Sequence, residues 1–358
     1  MVLASATAEA DFWASVVREI VSCSHNFFPD NVDRVRFPER IALSRSIKDR
    51  LLRVAASLGL TQGPFLDWSQ ADEILRLEGL SETYRTLEDR ESRELFVKLL
   101  TYRILGPRKV KLPLNTPSYW EKVERAKQYR IEKKVIQNVP VVDSLDLYEI
   151  DHLRLIDRRI LNIFLLEQYR CDRAGVRVRP GDVVIDAGGC WGDTALYFAQ
   201  RADSVYCYEC VPANLAILKR NLDLNPELAR KILVVPKALD REAGKTLHFS
   251  ENGPGSRSAV EGIQVTTDTI DNLAGTNGLE RVDFIKMDIE GAEMDALIGG
   301  EKTIRVHRPR LAISVYHSLS DFVRIPKWIA SLGLGYKFYL DHFTIHAEET
   351  ILFAKAPG

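Results

Sequence analysis

Residues 183–199, VVIDAGGCWGDTALYFA, decide the fold of this chain. The stretch opens with the apolar run Val183-Val184-Ile185, which is typical of a buried parallel strand. A turn with glycine at positions 188, 189 and 192 follows, and a helix is predicted from about Asp193. Glycines allow a ligand to approach the backbone, and a helix N-terminus offers unpaired N–H groups to an anion. The stretch therefore predicts the strand, turn and helix of a nucleotide-type pocket.

Further strand and helix segments follow this stretch. Helical segments alternate with apolar strand segments at 205–209, 232–236, 282–288 and 309–317. Such units form a mostly parallel sheet with helices on both faces, so we predict an α/β, Rossmann-like fold. The last two strand segments, at 336–342 and 348–356, have only a short connection, which predicts that they are antiparallel.

The chain before residue 139 is predicted to be mostly helical. Apolar residues recur at close to helical spacing in residues 38–59, and a charged helix is predicted at about 118–134. The pattern then becomes extended up to residue 157, and a further helix is predicted at 160–170.

These patterns divide the chain into a helical N-terminal cap or accessory region, 1–138, and a main domain, 139–358. A β-hairpin insertion is predicted at about 244–266. The N-terminal helices could cover one face of the main domain, select the substrate or form a homo-oligomer, and the sequence favours none of these.

Composition and charge exclude several classes of protein. The 358 residues are 46% hydrophobic and 28% charged, and a net charge of −1 provides no general attraction to nucleic acid or to an anionic membrane. No apolar run approaches the roughly 20 residues of a membrane helix, and the N-terminus lacks the pattern of a signal peptide. Five cysteines, an odd and sparse set, favour a reducing setting. We therefore expect a cytoplasmic protein without a nucleic-acid or membrane partner.

In a sheet of this kind, ligands bind beyond the carboxyl ends of the strands. The predicted strand ends carry residues suited to ligand binding: Asp186, Glu209, Lys237, Ala238, Asp288, Glu290 and His317. A carboxylate at Glu209, at the end of the second strand, can accept hydrogen bonds from both hydroxyls of a ribose. NAD and S-adenosylmethionine (SAM) both contain a ribose, so Glu209 does not distinguish between them.

The first turn does distinguish the two cofactors. NAD sites usually have the pattern G-x-G-x-x-G, whereas here Asp186 precedes Gly188 by two positions and the pattern is D-x-G-x-x-x-G. A carboxylate repels a pyrophosphate but attracts the ammonium group of SAM. The turn therefore favours SAM, with a purely structural, capping role for Asp186 as the alternative.

Asp288 and Glu290 lie where a methyl donor would meet its acceptor. Two carboxylates on one side could orient hydroxyls or bind a divalent metal, but no convincing third ligand is evident, so no metal is predicted. Glu293 could instead belong to the helix surface. His317, at the end of the fifth strand, is predicted to be a catalytic base for a hydroxyl, close to Asp288, with a structural histidine as the alternative.

Several blocks in order and at the expected spacing resemble FkbM-family class I SAM-dependent methyltransferases. The blocks lie between residues 160 and 354 and are VVIDAGGCWGDTALYFA, VYCYECVPANLAILKRNLDLNP, VPKALDREAGKTLHF, TTDTIDNL, VDFIKMDIEGAE and RPRLAISVYHSLSDFVRIPKWI. The resemblance implies a seven-stranded sheet with an antiparallel last strand, SAM as methyl donor, and O-methylation of hydroxyls on sugars or secondary metabolites. Cys190 is a departure, because a residue such as asparagine is more usual in this turn.

The resemblance also implies roles for individual residues. Asp186, Gly188 and Gly192 would hold the methionine portion of SAM, with Gly189 in the same cofactor-binding turn. Glu209 would bind the ribose, Lys237 and Ala238 would lie near the adenine, and Asp288 and Glu290 would face the reaction centre.

The predicted function is SAM-dependent methylation, with a small-molecule hydroxyl as the acceptor. Two alternatives remain open from the sequence. One is a catalytically silent binding or scaffold protein with the same fold, and the other is an NAD-linked oxidoreductase.

Overall fold

The computed structural model describes residues 2–33, 68–139, 143–157, 160–250 and 255–357. The helices are α1 (Val2–Ser24), α2 (Trp68–Arg76), α3 (Leu80–Thr86), α4 (Arg90–Leu105), α5 (Pro117–Gln128), α6 (Asp193–Ala199), α7 (Pro212–Asp223), α8 (Pro226–Ala229), α9 (Ile270–Thr276), α10 (Glu293–Ile298), α11 (Glu301–His307) and α12 (Asp321–Ser331). The strands are β1 (Arg130–Val139), β2 (Asp143–Ile150), β3 (Leu153–Asp157), β4 (Val183–Ala187), β5 (Ser204–Tyr208), β6 (Ile232–Val235), β7 (Ala238–Leu239), β8 (Thr246–Phe249), β9 (Ser258–Ala259), β10 (Ile263–Asp268), β11 (Phe284–Met287), β12 (Arg310–Ser314), β13 (Lys337–His342) and β14 (Thr350–Lys355). The helix predicted at 38–59 lies outside the described residues.

Seven strands form the main sheet, in the order β13-β14-β12-β11-β4-β5-β6. Strand β4 lies inside the sheet and pairs parallel with β11 on one side and with β5 on the other. Strand β14 is antiparallel to both of its neighbours, β12 and β13. This arrangement confirms the predicted α/β fold, a mostly parallel seven-stranded sheet with an antiparallel last strand.

The central strands are buried on both faces, as their continuous apolar sequences require. Val184, Ile185 and Ala187 of β4 have no exposed surface, and neither do Phe284 and Ile285 of β11. Because β4, β5, β11 and β12 are parallel, their carboxyl ends meet at one edge of the sheet. The residues that follow these four strands are therefore brought together although they are distant in sequence.

Two smaller sheets accompany the main one. Strands β1, β2 and β3 form an antiparallel sheet, and a four-stranded sheet has the order β7-β10-β8-β9. In the region of the predicted insertion, β8 pairs antiparallel with β10, with Phe249 opposite Ile263. This hairpin follows the main-sheet strand β6 in the chain, and its residue Phe249 reaches the edge where the strands of the main sheet end.

The predicted helix at 118–134 is too long. Helix α5 ends at Gln128, and strand β1 begins at Arg130. The side chain of Asp146 in β2 accepts hydrogen bonds from the Lys134 N–H (2.8 Å) and from the Arg130 guanidinium (3.2 Å). Pairing with β2 thus decides the conformation of this charged segment. The spacing of charged residues along the sequence does not show that a partner strand exists.

The predicted helix at 160–170 is reduced to a π-helix, Leu161–Leu165. Glu167 has a φ of 51°, in the left-handed region, so the chain turns instead of continuing as a helix. Cys171 and Val176 then form an isolated antiparallel bridge. This segment therefore contributes its apolar residues to the core from a short helix and a turn, and not from a long helix.

The N-terminal helices share a core with the end of the chain. Phe96 of α4 lies between Phe12 of α1 and Phe322 of α12, with ring centroids 6.1 Å and 5.8 Å away. The relative exposure of Phe12 and Phe96 is 0%, and that of Phe322 is 2%. The N-terminal region is thus packed against the main domain.

Among the described helices, none combines the length and the apolar character that crossing a membrane requires.

We predict that Phe96→Ala destabilises the protein by about 3–5 kcal/mol, because it leaves a cavity between α1, α4 and α12. Phe27→Ala is the matched control, since Phe27 is 49% exposed and its truncation should cost less than about 1 kcal/mol. Chemical denaturation of both variants measures the difference. Equal stability of the two variants would contradict the shared core.

Candidate active site

A cleft lies at the carboxyl ends of β4, β5 and β11. Its walls contain six of the residues predicted from sequence: Gly188, Glu209, Lys237, Ala238, Asp288 and Glu290. Apolar surface from Leu239, Phe249 and Ile289 lies between these groups. The other predicted residues, Asp186, Gly189, Gly192 and His317, are not part of the walls. The structure thus separates residues that can touch a ligand from residues that shape the site.

The glycine turn is needed for close packing against neighbouring strands. Gly188 has a φ of +83°, and a Cβ there would lie 1.9 Å from the backbone oxygen of Asp288. A Cβ at Gly189 would lie 2.1 Å from the Cys207 Sγ. The N–H groups of Gly188 and Gly189 both donate to the carbonyl of Tyr208, at 3.0 and 2.9 Å. These two amides are therefore already used within the fold, and Gly188 contributes to the cleft through its bare surface.

Asp186 lies beneath this turn and not in the cleft. Its side chain is fully buried, 3.0 Å from the Lys286 Nζ, and accepts a 2.6 Å hydrogen bond from the Thr194 hydroxyl. Burial alone would lower the pKa of Lys286, but the carboxylates of Asp186 and Asp288 hold it above its ordinary value. The expected contact between Asp186 and a ligand ammonium does not fit this position, because its carboxylate already neutralises a buried lysine.

Lys286 was not among the residues predicted from sequence. Its ammonium donates to the carbonyls of Ala187 (3.0 Å) and Gly188 (2.7 Å), in addition to its ion pair with Asp186. It thereby joins β11 to the first residue of the glycine turn. The available signal was a lysine inside the apolar strand VDFIKMD, which is unusual because a buried charge needs a partner.

Glu209 occupies the end of β5 as predicted. It is 8% exposed, lines the cleft, and accepts a 2.7 Å hydrogen bond from the Val211 N–H. Burial raises the pKa of this carboxyl to about 6, against the effect of the Val211 hydrogen bond. Glu209 is therefore ionised at neutral pH and can accept hydrogen bonds from hydroxyls in the cleft.

Four ionisable side chains meet at the ends of β11 and β12: Asp288, Glu290, Glu293 and His317, here called the acid–histidine cluster. The His317 Nδ1 lies 3.0 Å from Glu293 Oε1. The His317 Nε2 lies 3.3 Å from Asp288 Oδ1 and 3.6 Å from Glu290 Oε2. The side chains of Asp288 and Glu290 are 18% and 30% exposed, whereas that of His317 is 8% exposed. The cluster thus presents carboxylates to the cleft and keeps the imidazole behind them.

The electrostatics of the cluster bear on the predicted role of His317. Burial by itself lowers its pKa, but Glu293, Asp288 and Glu290 together raise it to about 10. With no other cation among these carboxylates in the described residues, the imidazole carries a proton at neutral pH, and in that state it is not a base. Burial and the charge of Asp288 raise the pKa of Glu290 to about 7.

Glu293 is not a helix-surface residue, as one interpretation of the sequence allowed. Its side chain is 0% exposed and accepts hydrogen bonds from the N–H groups of Ile289 (2.8 Å) and Gly291 (3.1 Å). The donor atoms of Asp288, Glu293 and His317 lie within 4.8 Å of one another. Glu293 of α10 and His317 after β12 thus lie beside Asp288 and complete a set of three ligand-capable groups. The sequence alone did not bring these three groups together.

Two tyrosines that the sequence reasoning missed orient Asp288. The Tyr169 hydroxyl donates to Asp288 Oδ2 at 2.9 Å, and the Tyr316 hydroxyl donates to Oδ1 at 3.2 Å. Tyr316 is adjacent to His317 and could have been found at the same strand end. Tyr169 precedes the main sheet in sequence, and no local pattern connects it to β11.

Comparison with known proteins finds a family match over the part of the chain that carries this cleft. Residues 176–338 match the family model described as the methyltransferase FkbM domain, which confirms the resemblance found in the sequence. A crystal structure of a methyltransferase FkbM from Methylobacillus flagellatus is similar, with a TM-score of 0.54 and 19% identity. The match covers 88% of this chain and 72% of that one.

Two further solved structures match with lower TM-scores. Trm5b from Pyrococcus abyssi has a TM-score of 0.36 and 13% identity, and the match covers 61% of this chain and 56% of that one. A putative methyltransferase from Streptococcus mutans, in complex with SAH, has a TM-score of 0.35 and 12% identity, and the match covers 54% of this chain and 97% of that one. No curated protein sequence matches this chain.

We predict that Asp186→Ala costs about 3–5 kcal/mol of stability, because it leaves the buried Lys286 without its carboxylate. Adding Lys286→Met should recover part of this loss, since the two residues act as a pair. Asp203→Ala, at an exposed carboxylate, is the control. Urea unfolding measures all three variants, and an Asp186→Ala protein as stable as the Asp203→Ala protein would contradict a buried ion pair that supports the turn.

Proposed function

We propose that the protein transfers the methyl group of SAM to a hydroxyl of a small molecule, because residues 176–338 match the family model of the methyltransferase FkbM domain. One observation carries the proposal. The cleft has a ribose-type carboxylate, Glu209, on one strand end and a pair of carboxylates, Asp288 and Glu290, on another. A donor bound between them would present its methyl group towards the carboxylate pair.

The walls of the cleft suit the parts of SAM. Glu209 is an ionised acceptor for the two ribose hydroxyls. Leu239 and Phe249 provide apolar surface for an adenine ring, beside Lys237 and Ala238. Gly188 leaves room for the chain that joins the ribose to the amino-acid end of the donor. Asp186 supports this turn from below through Lys286, so in this proposal its effect on the cofactor is indirect.

The carboxylates of Asp288 and Glu290 favour an acceptor with hydroxyl groups. They can accept hydrogen bonds from hydroxyls, whereas they would repel a phosphate or another anion. A sugar or a secondary metabolite offers several such hydroxyls, and it is the acceptor class we propose. SAM, when bound, supplies an electrophilic methyl group. The contribution of this chain is to hold the acceptor oxygen in line with that group and to receive hydrogen bonds from the acceptor, because positioning provides much of the acceleration.

We predict that Glu209→Gln weakens SAM binding about 10- to 100-fold at pH 7.5, because charge-assisted hydrogen bonds to the ribose are lost. The Glu209 pKa of about 6 also predicts the direction in which SAM affinity changes with pH, since the carboxylate is ionised above this pH and protonated below it. Wild-type affinity should therefore fall as the pH drops from 7.5 to 5.5, and the affinity of the variant should change little. Calorimetry with SAM measures both proteins.

The control for this experiment is Glu280→Gln, at an exposed position on the loop before β11. It should bind SAM as the wild type does. Absence of SAM binding by folded wild-type protein would refute the proposed cofactor. Equal affinity of the Glu209→Gln and Glu280→Gln proteins would refute the role of Glu209.

We further predict that the protein, given SAM with an isotopically labelled methyl group and a metabolite extract, labels small molecules on oxygen. Mass spectrometry finds the products, and NMR of the labelled methyl distinguishes oxygen from nitrogen or carbon. At about pH 8.5, where a carboxyl with a pKa of about 7 is ionised, Glu290→Gln should lower kcat/KM at least about 10-fold with little change in SAM affinity, because it removes a charged hydrogen-bond acceptor from the acceptor end. Label on nitrogen or carbon would overturn O-methylation, and SAM binding without any transfer would favour the catalytically silent alternative.

A further inference from the structure

His317 is held in an arrangement that its own hydrogen bonding does not explain. Both ring nitrogens face carboxylates, Nδ1 towards Glu293 at 3.0 Å and Nε2 towards Asp288 at 3.3 Å. The side chain is 8% exposed, and neither nitrogen makes a hydrogen bond of acceptable geometry. A buried imidazole with both nitrogens directed at carboxylates, but aligned with neither, indicates that a positively charged partner fits between these groups.

The side chains of the acid–histidine cluster also suit a cation. In the described part of the chain, His317 is the cationic side chain within 4 Å of Asp288, Glu290 and Glu293. The nearby Lys286 ammonium is already bound to Asp186 and to two backbone carbonyls. Three carboxylates therefore lie around one imidazole, and carboxylates and imidazole are side chains that bind divalent metal ions.

We propose that Asp288, Glu293 and His317 bind a divalent first-row metal ion, such as Mn²⁺. Their donor atoms lie within 4.8 Å of one another. Two ligands on opposite sides of an ion with bonds of about 2.1 Å are about 4.2 Å apart, so small side-chain movements suffice. Two carboxylates and one imidazole suit Mn²⁺ or Zn²⁺ better than Mg²⁺, which prefers oxygen ligands.

The carboxylates of this site are already oriented by hydrogen bonds, as the ligands of metal sites generally are. Asp288 receives the hydroxyls of Tyr169 and Tyr316, one on each oxygen. Glu293 receives the N–H groups of Ile289 and Gly291, again one on each oxygen. These bonds hold the two carboxylates in a fixed orientation beside His317.

The metal site would open towards the cleft on the side of Asp288 and Glu290, which line it. A cation held there would bind the oxygen of the acceptor hydroxyl and lower the pKa of that hydroxyl. This role rests on the proposed methyl transfer. Binding of the metal ion itself does not, and the two can be measured separately.

Metal binding is tested on the full chain after removal of metals by chelation. Titration with Mn²⁺, followed by the electron paramagnetic resonance signal of the free ion, should show one tight site per chain. Asp288→Asn and His317→Gln should each weaken binding at least 10-fold. Asp295→Asn, at a 39% exposed carboxylate on the same helix as Glu293, should leave the affinity unchanged.

A second measurement excludes an effect of the variants on folding alone. Pulsed electron paramagnetic resonance of bound Mn²⁺ should detect coupling to a histidine nitrogen in the wild type and in Asp295→Asn, and no such coupling in His317→Gln. Absence of a tight Mn²⁺ site in the wild type, or binding without nitrogen coupling, would overturn the proposal.

Calorimetry with SAM on the same metal-free protein separates this proposal from the proposed function. SAM binding without a Mn²⁺ site refutes the metal site only, and a Mn²⁺ site without SAM binding refutes the cofactor only.

Discussion

The buried ion pair between Lys286 and Asp186 is the interaction on which the site depends. It brings a lysine of β11 to the end of β4 and uses the remaining protons of its ammonium to hold the carbonyls of Ala187 and Gly188. The glycine turn is thereby anchored from below by β11 and from the side by the carbonyl of Tyr208 at the end of β5. Three strand ends are thus fixed relative to one another.

The rest of the cleft follows from this anchoring. Because the turn stays close to β11, a bare glycine is required at position 188, and Asp288 emerges directly beside it. Asp288 is then oriented by two tyrosines from different parts of the chain and faces His317. Three carboxylates surround His317 at the ends of β11 and β12, while the carboxylate of Glu209 stands apart at the end of β5. This separation gives the cleft two chemically different ends.

Much of the fold could be predicted from the sequence because local residue patterns specify its strands and helices. Apolar β-branched runs, each followed by a helix, determine parallel strands, and the short connection between β13 and β14 determines an antiparallel pair. The predictions failed where a distant partner decided the outcome. The first half of strand β1 was predicted to be helical because its pairing with β2 is not visible locally. Glu293 was open to interpretation as a surface residue because the backbone amides that it caps are those of the preceding turn.

The sequence alone determined the fold class, the edge of the sheet at which the cleft lies, and the carboxylates at that edge, because parallel strands place their carboxyl ends together. Only the tertiary structure decided what each charged group faces. Asp186 faces a lysine one strand away, and His317 faces carboxylates from β11 and α10. The physical reason is that the state of a buried charge depends on its neighbours within a few ångströms, and those neighbours come from strands and helices whose proximity no local pattern records.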